Sequence, residues 1–146
     1  LQGIDNLAVK KPKIRFFEGE KNLISAYMEN LSAKDEILTI AGPQFFHEGV
    51  LKYIPDYIER RVKKKILLKM IVPDVPQMLT WKGKDIPNLY KIKFAPHQTY
   101  QFKIQIDIYN NRVALMSYEE KLGLIIESKD IADTLYSFFN LAWTCI

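Results

Sequence analysis

Apolar positions recur along this chain with two different periods, and the periods divide it into elements. Leu23, Ile24, Tyr27 and Leu31 fall three or four residues apart, which predicts a helix of about three turns over residues 20–31. Leu51, Ile54, Ile58 and Val62 repeat that spacing within residues 45–65, a second helical stretch. Pro55 interrupts it. Pro55 either kinks one helix or opens a fresh one; with Asp56 and Glu59 just after it and Lys63, Lys64 and Lys65 at the far end, charges that complement the helix dipole, the fresh start is favoured. A final helix is predicted over residues 129–143, capped by Ser128, with Ile131, Leu135, Phe138 and Ala142 facing inward.

The remaining patterns are those of strands. Residues 13–17, 36–41, 89–95, 112–118 and 122–127 have strand length and composition. Residues 66–72 are almost unbroken in their apolarity, so both faces should be covered, as at the centre of a parallel sheet. In residues 102–108, Phe102, Ile104, Ile106 and Ile108 alternate with Lys103, Gln105 and Asp107, the pattern of a half-exposed strand. Asn110-Asn111 then supplies a two-residue hairpin turn, because Asn tolerates positive φ. Residues 77–88 are the least patterned, and Trp81-Lys82-Gly83-Lys84 is expected at an exposed tip. The order predicts an α/β fold: a mixed, mainly parallel sheet with helices on both faces, β-α-β-α-β followed by a strand meander and a C-terminal helix. Residues 12–146 read as one domain, and residues 1–11, which lack a hydrophobic face, as a linker remnant from an absent N-terminal part.

Composition narrows this picture only slightly. A chain of 146 residues that is 48% hydrophobic can bury a core without disulfides, and its single cysteine, Cys145, could not form one internally. No apolar run approaches the roughly 20 residues of a membrane-spanning helix, and a reducing cytoplasm is the expected compartment. The net charge of +4 is too mild to indicate nucleic-acid binding by itself.

Candidate chemistry is sparse. The two histidines, His47 and His97, have no second His or Cys at ligand spacing, so no metal site is expected. Six scattered glycines build no phosphate-cradling loop, and no nucleophile elbow is present. Glu119-Glu120 occupies a predicted turn and reads as solvated. The densest charge, Arg60, Arg61, Lys63, Lys64 and Lys65, is either a contact patch for phosphates or a solvated helix end favoured by the dipole. Adjacent aromatic pairs, such as Phe16-Phe17 and Phe138-Phe139, cannot point both rings the same way; core packing is the default reading, and a ring turned to a subunit partner or a ligand cavity is the alternative.

Several stretches together resemble the C-terminal domain of TrmB-like transcription regulators. They are Lys11-Pro12-Lys13-Ile14-Arg15-Phe16-Phe17-Glu18-Gly19, then Tyr53-Ile54-Pro55-Asp56-Tyr57-Ile58-Glu59-Arg60-Arg61, and Ile71-Val72-Pro73-Asp74. The tail matches best, with Ile108-Tyr109-Asn110-Asn111-Arg112-Val113-Ala114, then Gly123-Leu124-Ile125-Ile126-Glu127-Ser128 and the closing helix. The resemblance implies a domain similar to one half of the phospholipase D fold, set behind an N-terminal winged helix-turn-helix that is absent here. Active phospholipase D relatives carry His-x-Lys-x4-Asp. On this sequence the motif falls at Phe102, Ile104 and Tyr109, with the later Gly-Ser near Met116-Ser117. Phe cannot attack phosphorus and Ile cannot neutralise a phosphate.

The expectation is therefore a non-catalytic effector-sensing or dimerisation domain with no cofactor. Its site would be a cleft at Phe102, Ile104, Tyr109 and Ser117. The implied partners are a second copy, a small effector (a sugar or another metabolite), and DNA only through the absent N-terminal domain; no membrane is implied. Two alternatives stand beside it: a phospholipase D-type phosphodiesterase using displaced histidines, and a plain protein- or nucleic-acid-binding module using the basic run.

Overall fold

The computed structural model describes residues 11–46, 48–84 and 87–146. Its strands are β1 (Lys13–Glu18), β2 (Glu36–Ile40), β3 (Leu67–Pro73), β4 (Tyr90–Ala95), β5 (Gln105–Tyr109), β6 (Arg112–Ser117) and β7 (Leu122–Glu127). They form one sheet in the order β1-β7-β6-β5-β2-β3-β4. The helices are α1 (Glu20–Met28), α2 (Glu48–Leu51), α3 (Ile54–Lys63), α4 (Pro76–Leu79) and α5 (Lys129–Cys145). A 3-10 turn, Glu29–Ser32, extends α1 to the length its apolar spacing predicts.

The sheet is mixed, as expected, but parallel pairing is confined to β2-β3-β4. The other four pairings are antiparallel. The expectation of a mainly parallel sheet fails at β1, which does not lie beside β2. It pairs at the far edge with β7, where Phe16 meets Leu124 and Phe17 meets Gly123. The apolar run read as central does become β3, with a parallel neighbour on each side.

Two apolar layers sandwich the sheet. On one face α1 and α3 cover Ile37, Met70, Ala114, Met116 and Ile125. A Cβ at Gly123 would stand 3.1 Å from Leu23 Cδ1, so the missing side chain lets α1 settle close to the sheet. On the other face α5 covers Leu38, Ile71, Ile108 and Val113.

Local chemistry sets the element ends. Gly19, at φ 85°, turns the chain from β1 into α1. Pro55 lies in the first turn of α3, where its missing N–H costs nothing. That helix stops in a Schellman motif: Ile66 N–H reaches the Arg61 carbonyl at 3.2 Å, Lys65 N–H reaches that of Val62 at 2.9 Å, and Lys65 adopts φ 59°. Asn110 and Asn111 take φ 48° and 59°, the hairpin geometry the dipeptide predicts. Ser128 Oγ accepts from Ile131 N–H at 3.2 Å and caps α5.

Three expectations need correction. The inward stripe of α5 is Ala132, Leu135, Phe139 and Trp143, whereas Ile131, Phe138 and Ala142 are exposed. Trp81 is not at an exposed tip: it is half-buried, with its ring 6.1 Å from that of Tyr90, while Lys82, Gly83 and Lys84 remain exposed. Strand β5 begins only at Gln105, and both its faces are covered.

Candidate functional site

The second face of β5 is the origin of the site. Gln105 and Asp107 project toward α1 and α3 with nearly complete burial, and Asp107 is 0% exposed. The carboxylate is not left bare. Thr39 Oγ1 donates to Oδ1 at 2.7 Å, Gln105 Nε2 donates to Oδ1 at 3.0 Å, and Asn30 Nδ2 donates to Oδ2 at 3.0 Å. Tyr118 Oη closes the network by donating to Gln105 Oε1 at 2.6 Å. Burial still dominates and pushes the Asp107 carboxyl above the usual carboxylate range, while its three donors pull the other way. The Asn30 Oδ1 atom has no hydrogen-bond partner.

Beside this network lies a cavity of about 260 Å³. Asn30, Thr39 and Gln105 form part of its wall, and Met70 and Leu68 of β3 contribute apolar surface. Helix α3 closes it from above with Ile54, Tyr57, Ile58 and Arg61. Tyr27 meets Tyr57 edge-on, with ring centroids 4.6 Å apart. Ala41, Trp81, Lys84, Asn88 and Tyr90 complete the lining. A concave, mainly apolar site with a few placed polar groups is the usual form of a small-molecule pocket.

Arg61 is 1% exposed, although it comes from the most basic run in the sequence. Its Nη1 donates to the carbonyls of Ile66 at 2.7 Å and Leu89 at 2.9 Å, and Nη2 donates to that of Asn88 at 2.5 Å. Leu89 sits at φ 51°, an uncommon conformation for a branched residue, and Arg61 holds its carbonyl. The Arg61 Nε–H has no acceptor. Burial lowers the pKa of the guanidinium, partly offset by Tyr57, Tyr27 and Tyr90.

The expected patch therefore divides. Arg61 turns inward. Arg60 lies 3.7 Å from Asp56, Lys64 Nζ donates to the Leu31 carbonyl at 3.2 Å, and Lys63 and Lys65 are exposed.

The residues expected to form a cleft are not gathered in one place. Phe102 is half-buried beside Gln44 and His97 in a shallow groove, and Ile104 is half-buried on the approach to β5. Gln105 pairs with Met116, so Ser117 lies near that end of the strand, where its Oγ accepts from Glu120 N–H at 3.2 Å. Tyr109 pairs with Arg112 at the opposite end, four residues or about 13 Å along β5. It is buried, and its hydroxyl has no partner.

His97 stands just beyond β4, and its Nδ1 lies 2.6 Å from Asp74 Oδ1 beyond β3. The His97 backbone N–H also donates to that oxygen at 2.8 Å and holds the Asp74 carboxyl below its usual range. His47 lies outside the described residues. Among the described residues no cluster of His, Cys, Asp and Glu could hold a metal.

Sequence reasoning missed Asn30, Thr39, Tyr57, Gln105 and Asp107 as a group. One signal was available: Gln105 and Asp107 share one face of a strand whose other face is apolar.

Sheet and layers define an α/β domain, one mixed seven-stranded sheet between two helical layers. No family model and no curated protein matches its sequence. Solved structures do share the fold. One is TrmBL2, described as an archaeal chromatin protein with a novel mode of DNA binding; its TM-score is 0.64 at 15% identity, over 90% of this chain and 52% of that one. Phosphatidylserine synthase of Haemophilus influenzae Rd KW20 gives 0.65 at 12%, over 87% of this chain and 36% of that one. Polyphosphate kinase of Porphyromonas gingivalis gives 0.59 at 12%, over 90% of this chain and 26% of that one. This chain thus spans about half, or less, of each of these three structures.

Proposed function

We propose that this domain is the non-catalytic sensing part of a transcription regulator and that its effector occupies the cavity beneath α3. The observation that carries the reading is that cavity: it is roofed by one helix and built around a buried, incompletely partnered arginine. Similarity to TrmBL2 supports the link to DNA, through segments of a longer protein. The replacement of the phospholipase D motif by Phe102, Ile104 and Tyr109 supports the absence of phosphodiester chemistry. A ligand that favours one position of α3 would bias the arrangement of attached DNA-reading domains by linkage. A homodimer belongs to the same proposal, and the exposed apolar residues Phe16 and Phe138 support it.

The test is DNA affinity of the full-length gene product, measured with and without metabolites that raise the melting temperature of this domain. An effector is expected to shift that affinity by about 5- to 150-fold. If every stabilising metabolite leaves DNA affinity unchanged, the reading is wrong.

One observation favours a second reading, a phosphodiesterase using a displaced histidine. Asp74 orients the Nδ1 of His97 at the carboxyl ends of parallel strands, where α/β proteins commonly place their chemistry. That reading requires hydrolysis of bis(4-nitrophenyl) phosphate that disappears in His97→Ala. No turnover by the unaltered protein removes it.

A further inference from the structure

The buried guanidinium of Arg61 sets the chemistry of its cavity. A guanidinium has five N–H bonds, and three of those on Arg61 are engaged by the carbonyls of Ile66, Leu89 and Asn88. Two remain, one of them the Nε–H that has no acceptor. These carbonyls position the group without cancelling its charge. No carboxylate pairs with Arg61 among the described residues, although buried charges are ordinarily paired.

The rest of the lining shows the same imbalance. Lys84 adds a second cation, and no described lining residue is acidic. Asp107 stands one layer behind, its oxygens occupied by Asn30, Thr39 and Gln105. Aromatic surface from Tyr27, Tyr57, Trp81 and Tyr90 provides the apolar remainder. Size limits the guest. A dry cavity of roughly 150 Å³ takes one benzene ring, so about 260 Å³ accommodates a ring with a short acidic arm.

We infer that the cavity binds a small aromatic or similarly apolar anion, its charged head at Arg61 and its body among the four aromatic side chains. This inference rests on the sensing reading of the same site and narrows it to one ligand class. A carboxylate and a phosphate monoester share the required head, because Arg recognises both through paired N–H donors.

The experiment is calorimetric titration of the whole chain with four probes: 3-phenylpropionate, phenyl phosphate, the neutral 3-phenylpropanamide and the cationic phenethylamine. At least one anion should bind tenfold or more tightly than the amide, and the amine should not bind. Preference between the two anions identifies the head group. Trp81→Ala and Lys84→Gln should each weaken the anion several-fold while leaving the fold intact by circular dichroism, so the test does not depend on altering Arg61. Equal affinity for acid and amide, no binding of any probe at millimolar concentration, or binding indifferent to both substitutions overturns the inference. Failure of the two readings is separable. An anion that binds without changing DNA affinity in the full-length product removes sensing and leaves the anion site. A neutral molecule that acts on DNA affinity from this cavity does the reverse.

Discussion

Asp107 shows how one buried carboxyl can set a pH response. Its folded pKa lies above the unfolded value near 4, because burial outweighs three hydrogen bonds. Upward from about pH 4, the native state therefore keeps a proton that the unfolded chain has released, and stability falls as pH rises through the raised value. Asp107→Asn removes that component. The wild type should lose thermal stability relative to this variant as pH rises from about 4 through that window, and parallel melting curves would contradict it. Asp107→Ala is harsher: it strands donors on Thr39, Gln105 and Asn30, at about 1–3 kcal/mol each. A denaturant-measured loss below about 1 kcal/mol would show that the network matters less than its geometry implies. None of this was legible in the alternation of residues 102–108. A period of two assigns Gln105 and Asp107 to one face, but it does not say whether water or another layer meets that face. Arg61 hides for the same reason, since a run of cations gives no sign of which member a helix turns inward.

Helices were legible as elements and much less so as faces. In α5, apolar residues stand at positions 131, 132, 135, 138, 139, 141, 142 and 143, a stripe too broad to fix the buried side. The sheet decides it, through contact with Ala132 and Phe139. Two adjacent phenylalanines should therefore behave unlike each other. Phe139→Ala is expected to cost about 3–5 kcal/mol, whereas Phe138→Ala, at a site 62% exposed, should stay within about 0.5 kcal/mol. Chemical denaturation of both variants checks the register, and equal losses would refute it. The helix ends, by contrast, could be read from single residues. Ser128→Ala should cost about 1 kcal/mol in the same measurement, since it removes the acceptor for Ile131 N–H.

At the scale of the molecule, the sheet is covered unevenly. One row on the α5 side runs Ile106, Leu115, Leu124, Phe16, and the next runs Ile108, Val113, Ile126, Ile14. Helix α5 packs over the first two members of each row, while Ile14 and Phe16 lie 57% and 70% exposed. If the proposed homodimer uses this face, Phe16→Glu should convert it to monomer in analytical ultracentrifugation; an unchanged sedimentation coefficient would place the contact elsewhere. The alternation of strands and helices made the α/β class legible. It could not reveal that β1 crosses to the far edge, because that depends on pairing with residues more than 100 positions away. The arrangement also has a mechanical consequence. Lys13 faces Glu127, next to the start of α5, whereas Glu18 faces Leu122 at the far end of the ladder. Tension between residue 12 and α5 therefore falls on one rung at a time, so β1 would unzip like tape lifted from a corner instead of resisting as a sheared seam. Anything pulling from upstream acts first on this edge of the sheet, with the cavity several strands beyond the tear.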